Sequence, residues 1–229
     1  MASGLNIGAQ HVREVAFAEA VTQRFDLESV RFTNSGTEAN MMALAAARNF
    51  TGRPAIMPMQ GGYHGGTLYF SHGSSPVNAP FECVMGHFND VAATRKLIAG
   101  NADKLACVIL EPMLGGGGCI PATLPFLQML REECTARGIV LIFDEVMTSR
   151  LHPGGLAAAT GVTPDLKALG KYIGGGMSFG AFGGRADIMA QFDPSSAKPL
   201  PHAGTFNNNT LTMTAGLVGL TQIFVPEVC

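Results

Sequence analysis

Two lysines, Lys167 and Lys171, lie in an apolar, glycine-rich stretch of the chain, and Lys171 stands directly before the run that contains Gly174, Gly175 and Gly176. An ammonium group is costly to bury unless it is paired or loses its proton. A lysine that loses its proton readily is a nucleophile toward carbonyl groups and forms Schiff bases. Three consecutive glycines leave room for a flat, bulky group to approach the backbone. Taken alone, the stretch favours a surface lysine before a flexible loop, and the other candidate residues reverse that preference.

Two carboxylates follow continuous apolar runs of the kind found in strands buried on both faces. Glu111 follows residues 105–110, and Asp144 follows residues 139–143. In open α/β sheets, ligands bind outside the carboxyl ends of the strands. A carboxylate at that position can meet a ligand nitrogen, whereas its structural alternative is to cap the segment that follows.

Two further sets of residues are placed to contact a ligand. Ser35, Gly36 and Thr37 lie where a predicted strand gives way to a predicted helix. Free N–H groups, the positive end of the helix dipole and two hydroxyls suit this junction to a phosphate, although a plain helix cap is the structural alternative. Tyr63 and His64 lie in a glycine-rich loop after a strand, where an aromatic ring can stack on a flat ligand. A tyrosine at the edge of the solvent is the commoner case.

The elements that must position these residues follow from the hydrophobic pattern. Predicted helices cover residues 10–25, 39–50, 90–99, 125–137, 186–192 and 212–224, and predicted strands cover residues 29–33, 54–59, 81–85, 105–110 and 139–143. Strands that alternate with helices at this spacing indicate an α/β fold, a three-layer α-β-α domain with a mostly parallel sheet. We predict one domain over residues 1–229, incomplete at both ends.

The composition argues against several classes of function. Of the 229 residues, 47% are hydrophobic and 14% are charged, so the chain can bury a substantial core. A net charge of −2 without a run of Lys or Arg argues against binding to nucleic acid or to a membrane surface. Five scattered cysteines without a CxxC pair suit reduced thiols better than disulfides or a metal site. With no secretory signal pattern and no apolar run of membrane length, we predict a cytoplasmic protein without a bound metal.

Pyridoxal phosphate acts as an electron sink in enzymes, and this set of groups suits it. The set consists of the phosphate-binding junction at residues 35–37, here called the phosphate cradle, a stacking aromatic ring, a carboxylate at a strand end and a lysine. The chain also resembles the class III aminotransferases, the pyridoxal-phosphate family that includes glutamate-1-semialdehyde aminomutase. The matching segments are FTNSGTEANMMALAAAR (32–48), GGYHG (61–65), VILEPMLGGGG (108–118), GIVLIFDEVMTSR (138–150), PDLKALGKYIGGGMSFGAFGGRADIM (164–189) and HAGTFNNN (202–209). Each motif is weak alone, whereas their order and spacing over nearly the whole chain are specific.

The resemblance implies the large domain of a fold type I pyridoxal-phosphate enzyme and gives the reactive residues their roles. Lys171 would form the Schiff base with the cofactor and act as the base that moves a proton. Asp144 would pair with the pyridine nitrogen, and Glu111 would lie near the ring hydroxyl. Lys167 would have no such role, because the family pattern places the reactive lysine before the aromatic-Ile-Gly-Gly-Gly run.

The remaining cofactor contacts also follow from the resemblance. They would be Ser35, Gly36 and Thr37 at the phosphate, Val146 and Tyr63 on the two faces of the ring, and His64 beside Tyr63. Thr205 would reach the phosphate of the cofactor in a partner subunit. A homodimer with shared sites would follow from that contact.

The resemblance predicts an aminotransferase that uses a small-molecule amino donor and a carbonyl acceptor. Aminomutase, racemase or lyase chemistry on the same scaffold stays open, because the machinery for proton transfer is shared. A truncated cofactor-binding protein without turnover also stays open, because the family's N-terminal segment and C-terminal small domain are not found in the sequence. The chain further departs from the family at Asn207, Asn208 and Asn209, where Gly-Asn-Pro is usual.

Overall fold

The structure, a computed structural model, describes residues 9–71 and 73–229. Its helices are α1 (Val12–Phe25), α2 (Gly36–Thr51), α3 (Val91–Gly100), α4 (Leu124–Arg137), α5 (Gly155–Thr160), α6 (Ala186–Met189) and α7 (Thr210–Val218). Its strands are β1 (Ser29–Thr33), β2 (Ala55–Pro58), β3 (Glu82–Cys83), β4 (Leu105–Leu110), β5 (Met113–Leu114), β6 (Ile120–Pro121), β7 (Val140–Asp144), β8 (Leu166–Gly170) and β9 (Gly180–Gly184). Turns of 3-10 helix cover Thr148–Arg150, Lys171–Gly174 and Ala190–Phe192, and a π-helical turn covers Gly219–Ile223.

Within the described ranges, seven strands form one sheet in the order β1-β9-β8-β7-β4-β2-β3, and β5 pairs with β6 apart from it. The five strands from β8 to β3 are parallel, whereas β9 runs antiparallel to both β8 and β1. In the register of β7 and β8, Asp144 lies opposite Ala168. Because parallel strands end at the same edge of a sheet, the residues that follow β7 and β8 emerge side by side.

The sheet lies between two layers of helices because its central strands are apolar on both faces. Strands β4, β7 and β8 are buried along their whole length. On one face, Ala43 of α2 packs in a cluster with Ile142 and Ala168. On the other face, Leu130 of α4 packs in a cluster with Phe143. The predicted three-layer α-β-α fold with a mostly parallel sheet is confirmed.

Strands β8 and β9 are missing from the sequence prediction. Strand β9 contains three glycines in five residues, and β8 contains a lysine, so neither has the continuous apolar pattern of the predicted strands. The glycines instead mark a close approach between strands. A Cβ atom added at Gly183 would lie 2.2 Å from the carbonyl oxygen of Ser29 in β1. Pairing of β9 with β1 therefore requires glycine at position 183.

Several helix and strand boundaries in the structure differ from the predicted ones. Helix α2 begins at Gly36 instead of residue 39, and the strand predicted over residues 81–85 shrinks to β3. The helix predicted over 186–192 divides into α6 and a 3-10 turn, and the one predicted over 212–224 is α7 followed by the π-helical turn. The short helix α5 was not predicted.

Three general features of the described residues bear on the expectations from composition. No helix in residues 9–71 and 73–229 combines the length and the apolar character needed to cross a membrane. In the same ranges, no group of three or more His, Cys, Asp or Glu side chains could hold a metal ion. All five cysteines are free thiols, and Cys107 and Cys134 are buried.

The buried carboxylate of Asp165 ties two outer segments to the sheet. Its Oδ2 accepts hydrogen bonds from Arg131 Nη1 at 3.0 Å and from the Leu141 amide at 2.7 Å. Its Oδ1 accepts from Arg185 Nη1 at 2.8 Å. Hydrogen bonds to Asp187 and to Asp165 raise the pKa of the Arg185 guanidinium. Loss of the charge at Asp165 would leave these donors without their anionic partner.

We expect Asp165→Asn to lower the free energy of unfolding by about 2–3 kcal/mol, because hydrogen bonds between charged groups in a buried setting are lost. Asp187→Asn is the matched control, since its side chain is 53% exposed against 6% for Asp165 and it pairs with the same Arg185. An exposed ion pair contributes only about 0–1 kcal/mol. Urea unfolding followed by circular dichroism measures both values. Equal losses in the two variants would contradict a special role for Asp165.

Candidate active site

Nine of the ten predicted site residues line one cavity of about 380 Å³ at the carboxyl ends of the parallel strands. They are Ser35, Gly36, Thr37, Tyr63, His64, Glu111, Asp144, Val146 and Lys171. Thr205 is the exception, because it is exposed and lines a different cavity of about 870 Å³. Lys171 and Asp144 thus line the same cavity.

Asp144, the last residue of β7, is buried and receives three hydrogen bonds. The backbone amide of Val146 donates to Oδ1 at 3.0 Å. Asn40 Nδ2 and His64 Nδ1 each donate to Oδ2 at 2.8 Å. A carboxylate surrounded by donors is satisfied in its ionised form, since an ionised carboxylate can only accept. Asp144 thus presents a negative charge at the cavity wall.

The donors to Asp144 have fixed orientations. Asn40 Nδ2 also donates to the carbonyl oxygen of His64, at 3.1 Å, so the amide nitrogen and not the oxygen faces the carboxylate. His64 donates through Nδ1, because the ionised carboxylate beside it can only accept. Asn40 Oδ1 and His64 Nε2 are buried without a hydrogen-bond partner among the described residues. Asn40 and His64 therefore direct their donors to Asp144, and the other polar atom of each side chain has no hydrogen-bond partner among the described residues.

Lys171 is the first residue after β8 and has an unusual backbone conformation. Its φ is 54°, in the left-handed region that side chains other than glycine rarely adopt and that costs about 1–3 kcal/mol. The turn it begins ends at Gly175, where φ is 63°. A Cβ atom added at Gly175 would lie 2.3 Å from the carbonyl oxygen of Ala215 in α7. Helix α7 therefore packs directly on the turn and holds Lys171 in place.

Lys167, the other lysine of the same stretch, lies within β8 and contacts the end of α1. Its Nζ donates to the carbonyl oxygen of Phe25, at the end of α1, at 2.5 Å. Burial lowers the pKa of Lys167, and the charges of Glu145 and Asp26 act in the other direction. Lys167 does not line the 380 Å³ cavity. Lys167 thus lies apart from the cavity that Lys171 lines.

The N-terminus of α2 forms one end of the cavity. Ser35 is the N-cap, and its Oγ accepts from the backbone amide of Glu38 at 3.2 Å. The helix cap that served as the structural alternative is thus present, and it does not exclude a ligand. The amides of Gly36 and Thr37 belong to the first turn, which has no carbonyl four residues earlier within the helix to accept from them. These groups can bind an anion.

Glu111 joins the two glycine-rich loops beside the cavity. Its Oε1 accepts from the Tyr63 amide at 3.0 Å, and its Oε2 accepts from the Gly115 amide at 3.2 Å. Burial raises the pKa of Glu111, and the hydrogen bond from Tyr63 partly offsets that effect. The ring of Tyr63 is 43% exposed and meets the ring of Tyr69 edge-on, with centroids 5.9 Å apart. Glu111 therefore positions the backbone that carries Tyr63.

Nine residues that line the cavity were not predicted: Asn34, Asn40, Gly65, Gly115, Gly116, Met147, Met177, Ser178 and Phe179. Of these, Asn40 could have been recognised from the sequence. It is a polar residue in the alanine-rich helix α2, one helical turn after Gly36 and therefore on the same face. A buried asparagine in such a helix needs hydrogen-bond partners, and Asp144 and the backbone supply them.

A model of the family described as aminotransferase class-III matches residues 4–229. The chain therefore belongs to the class III aminotransferases, and the resemblance found in the sequence is confirmed. The chain is 54% identical over 228 residues to a β-phenylalanine transaminase of Variovorax paradoxus, a match that covers 99% of this chain and 52% of that protein. The chain spans about half the length of the curated relatives it matches.

Solved structures match over the same region. The β-phenylalanine aminotransferase from Variovorax paradoxus superposes with a TM-score of 0.97 at 53% identity, over 100% of this chain and 53% of that one. An ω-transaminase from Sphaerobacter thermophilus superposes with a TM-score of 0.94 at 43% identity, over 99% and 56%. A transaminase solved with PLP bound gives a TM-score of 0.92 at 37% identity, over 99% and 57%. The fold of this chain is thus that of the large domain of fold type I transaminases.

The raised pKa of Glu111 predicts how stability varies with pH. The folded chain keeps a proton on Glu111 at pH values where the unfolded chain, with a glutamate pKa of about 4.3, has lost it. The stability contribution of Glu111 therefore falls as the pH rises from about 4.3 through the raised pKa. Glu111→Gln lacks this term, so we expect the stability of the unsubstituted chain relative to the variant to decrease over that range. Urea unfolding of both proteins between about pH 4 and pH 8 measures the trend, and a constant difference would refute it.

Proposed function

We propose that the chain binds pyridoxal phosphate in the 380 Å³ cavity and acts as an aminotransferase, which moves an amino group from a small-molecule donor to a carbonyl acceptor. The observation that carries the proposal is the placement of Lys171 and the buried, donor-bound Asp144 in one cavity. Membership of the class III aminotransferases supports it.

The residues present fit this cofactor. Asp144, with donors on its protein side, can accept a hydrogen bond from a protonated pyridine nitrogen. The first turn of α2 offers amide and hydroxyl donors for the phosphate, and the helix dipole favours its negative charge. Val146 and Tyr63 line the same cavity and would contact the faces of the ring. Lys171 supplies the amine that would hold the aldehyde group.

The chain's own residues would divide the work of the reaction. Bound pyridoxal phosphate supplies a sink for the electron pair that remains when the donor loses a proton from carbon. Lys171 Nζ would hold the cofactor when no donor is bound, and as a free amine it would accept that proton and return it to another carbon. General acid–base transfer of this kind contributes about 10²–10⁴ in rate. Asn40 and His64 keep Asp144 an acceptor throughout.

The donor, the assembly and the location are proposed on narrower grounds. We propose an aryl β-amino acid as the donor, because a relative at 54% identity is named for β-phenylalanine. We propose a homodimer in which Thr205 of one copy reaches the phosphate bound by the other. The exposure of Thr205 and its place outside the 380 Å³ cavity support that arrangement. A cytoplasmic location is proposed from the composition alone.

Lys171→Ala should abolish the visible absorbance that the chain acquires with pyridoxal phosphate, because the amine that bonds to the cofactor is gone. Borohydride reduction followed by peptide mass mapping should place the cofactor on Lys171 in the unsubstituted chain. Lys198→Ala, which removes an exposed lysine, is the control and should leave both results unchanged. Cofactor fixed to Lys167 or to many lysines would refute the assignment.

The same preparation separates turnover from binding. Addition of β-phenylalanine should discharge the absorbance of the bound cofactor, and addition of a keto acid should restore it. If the absorbance forms and no amino donor discharges it, the chain binds the cofactor without turnover.

A further inference from the structure

The loop over residues 202–209 is held by three consecutive asparagines, Asn207, Asn208 and Asn209, here called the asparagine clasp. Each contacts a different element. Asn207 Oδ1 accepts from Asn34 Nδ2 at 2.7 Å, in the connection from β1 to α2. Asn208 Nδ2 donates to Glu14 Oε2 at 2.9 Å, in α1. Asn209 caps α7. The three side chains therefore connect this loop to three separate parts of the fold.

The contact made by Asn207 continues to the proposed phosphate cradle. The backbone amide and Nδ2 of Asn34 both donate to Glu38 Oε2, at 2.9 and 3.3 Å. The amide of Glu38 in turn donates to Ser35 Oγ at 3.2 Å. Asn207, Asn34, Glu38 and Ser35 thus form one continuous set of hydrogen bonds that ends at the first turn of α2.

These hydrogen bonds determine where the Glu38 carboxylate lies and whether the Ser35 hydroxyl can donate at the phosphate cradle. Ser35 Oγ accepts from Glu38 and keeps its own hydrogen free to donate to a ligand. Glu38 does not line the 380 Å³ cavity, and its carboxylate accepts hydrogen bonds from both the backbone amide and the side chain of Asn34. A carboxylate that swung toward the cradle would repel a phosphate. Asn34 therefore keeps an anion away from the place where the phosphate would bind.

Asn34 and Asn207 also lie on two different cavities. Asn34 lines the 380 Å³ cavity, whereas Asn207 lines the 870 Å³ cavity together with Thr205. The 2.7 Å hydrogen bond between these two residues therefore connects the linings of the two cavities. A change in the Thr205 loop can thus reach the cradle through a single contact.

We propose that Asn207 is a positioning residue for the phosphate end of the cofactor site. Its Oδ1 fixes the side chain of Asn34, which holds the carboxylate of Glu38 outside the cavity and leaves the Ser35 hydroxyl directed to the ligand. The inference rests on the proposed function, in which Ser35, Gly36 and Thr37 bind the phosphate of pyridoxal phosphate.

The test compares pyridoxal phosphate with pyridoxal, which lacks the phosphate. The dissociation constants of both are measured on the cofactor-free chain by absorbance and fluorescence titration, and their ratio gives the phosphate preference. Asn207→Ala should reduce this preference about three- to tenfold, the loss expected for one hydrogen bond, with the affinity for pyridoxal unchanged. Asn208→Ala is the matched control, because it removes an asparagine of the same loop whose contact is with Glu14. It should leave the preference unchanged.

A second variant tests the same hydrogen bond from its other end. Asn34→Ala should reduce the phosphate preference at least as much as Asn207→Ala, and the double variant should lose no more than Asn34→Ala alone. Thermal unfolding of each variant shows that the folded chain is being measured. Equal weakening for both ligands, or the same loss in Asn208→Ala, would mean a structural role only and would overturn the inference.

Failure of the proposed function has a different signature. If the unsubstituted chain binds pyridoxal and pyridoxal phosphate equally well, the phosphate cradle itself is wrong and the inference falls with it. If the preference is present and Asn207→Ala leaves it intact, only the role of Asn207 is wrong.

Discussion

The hydrogen bonds to the buried carboxylate of Asp144 are the interaction on which the rest of the site depends. A carboxylate removed from water is stable only when other donors replace the water it has lost. Asp144 takes its donors from the segment after β7, from α2 through Asn40, and from the loop that carries His64. These three elements also form walls of the cavity. The interactions that stabilise the charge therefore also shape the site.

The position of Lys171 is determined by the sheet and by helix α7. The register that sets Asp144 opposite Ala168 brings the end of β8 beside the end of β7, so Lys171 emerges next to the carboxylate. The left-handed backbone at Lys171 costs energy that the local sequence does not recover. Helix α7 packs on Gly175, where the turn that begins at Lys171 ends. A strained residue held by distant packing is typical of a site whose geometry is fixed before the ligand binds.

Sequence patterns predicted what depends on local composition. Residues 105–110 form β4 as predicted, since a continuous apolar run of six residues is suited to a strand buried on both faces. The contacts of Asp144 with Asn40 and His64 span 104 and 80 residues, and no local pattern reports them. Strand β9 was missed because its glycines carry no hydrophobic signal and instead allow the neighbouring strands to approach closely. Because β8 was not predicted, the choice of Lys171 over Lys167 depended on the resemblance to the family.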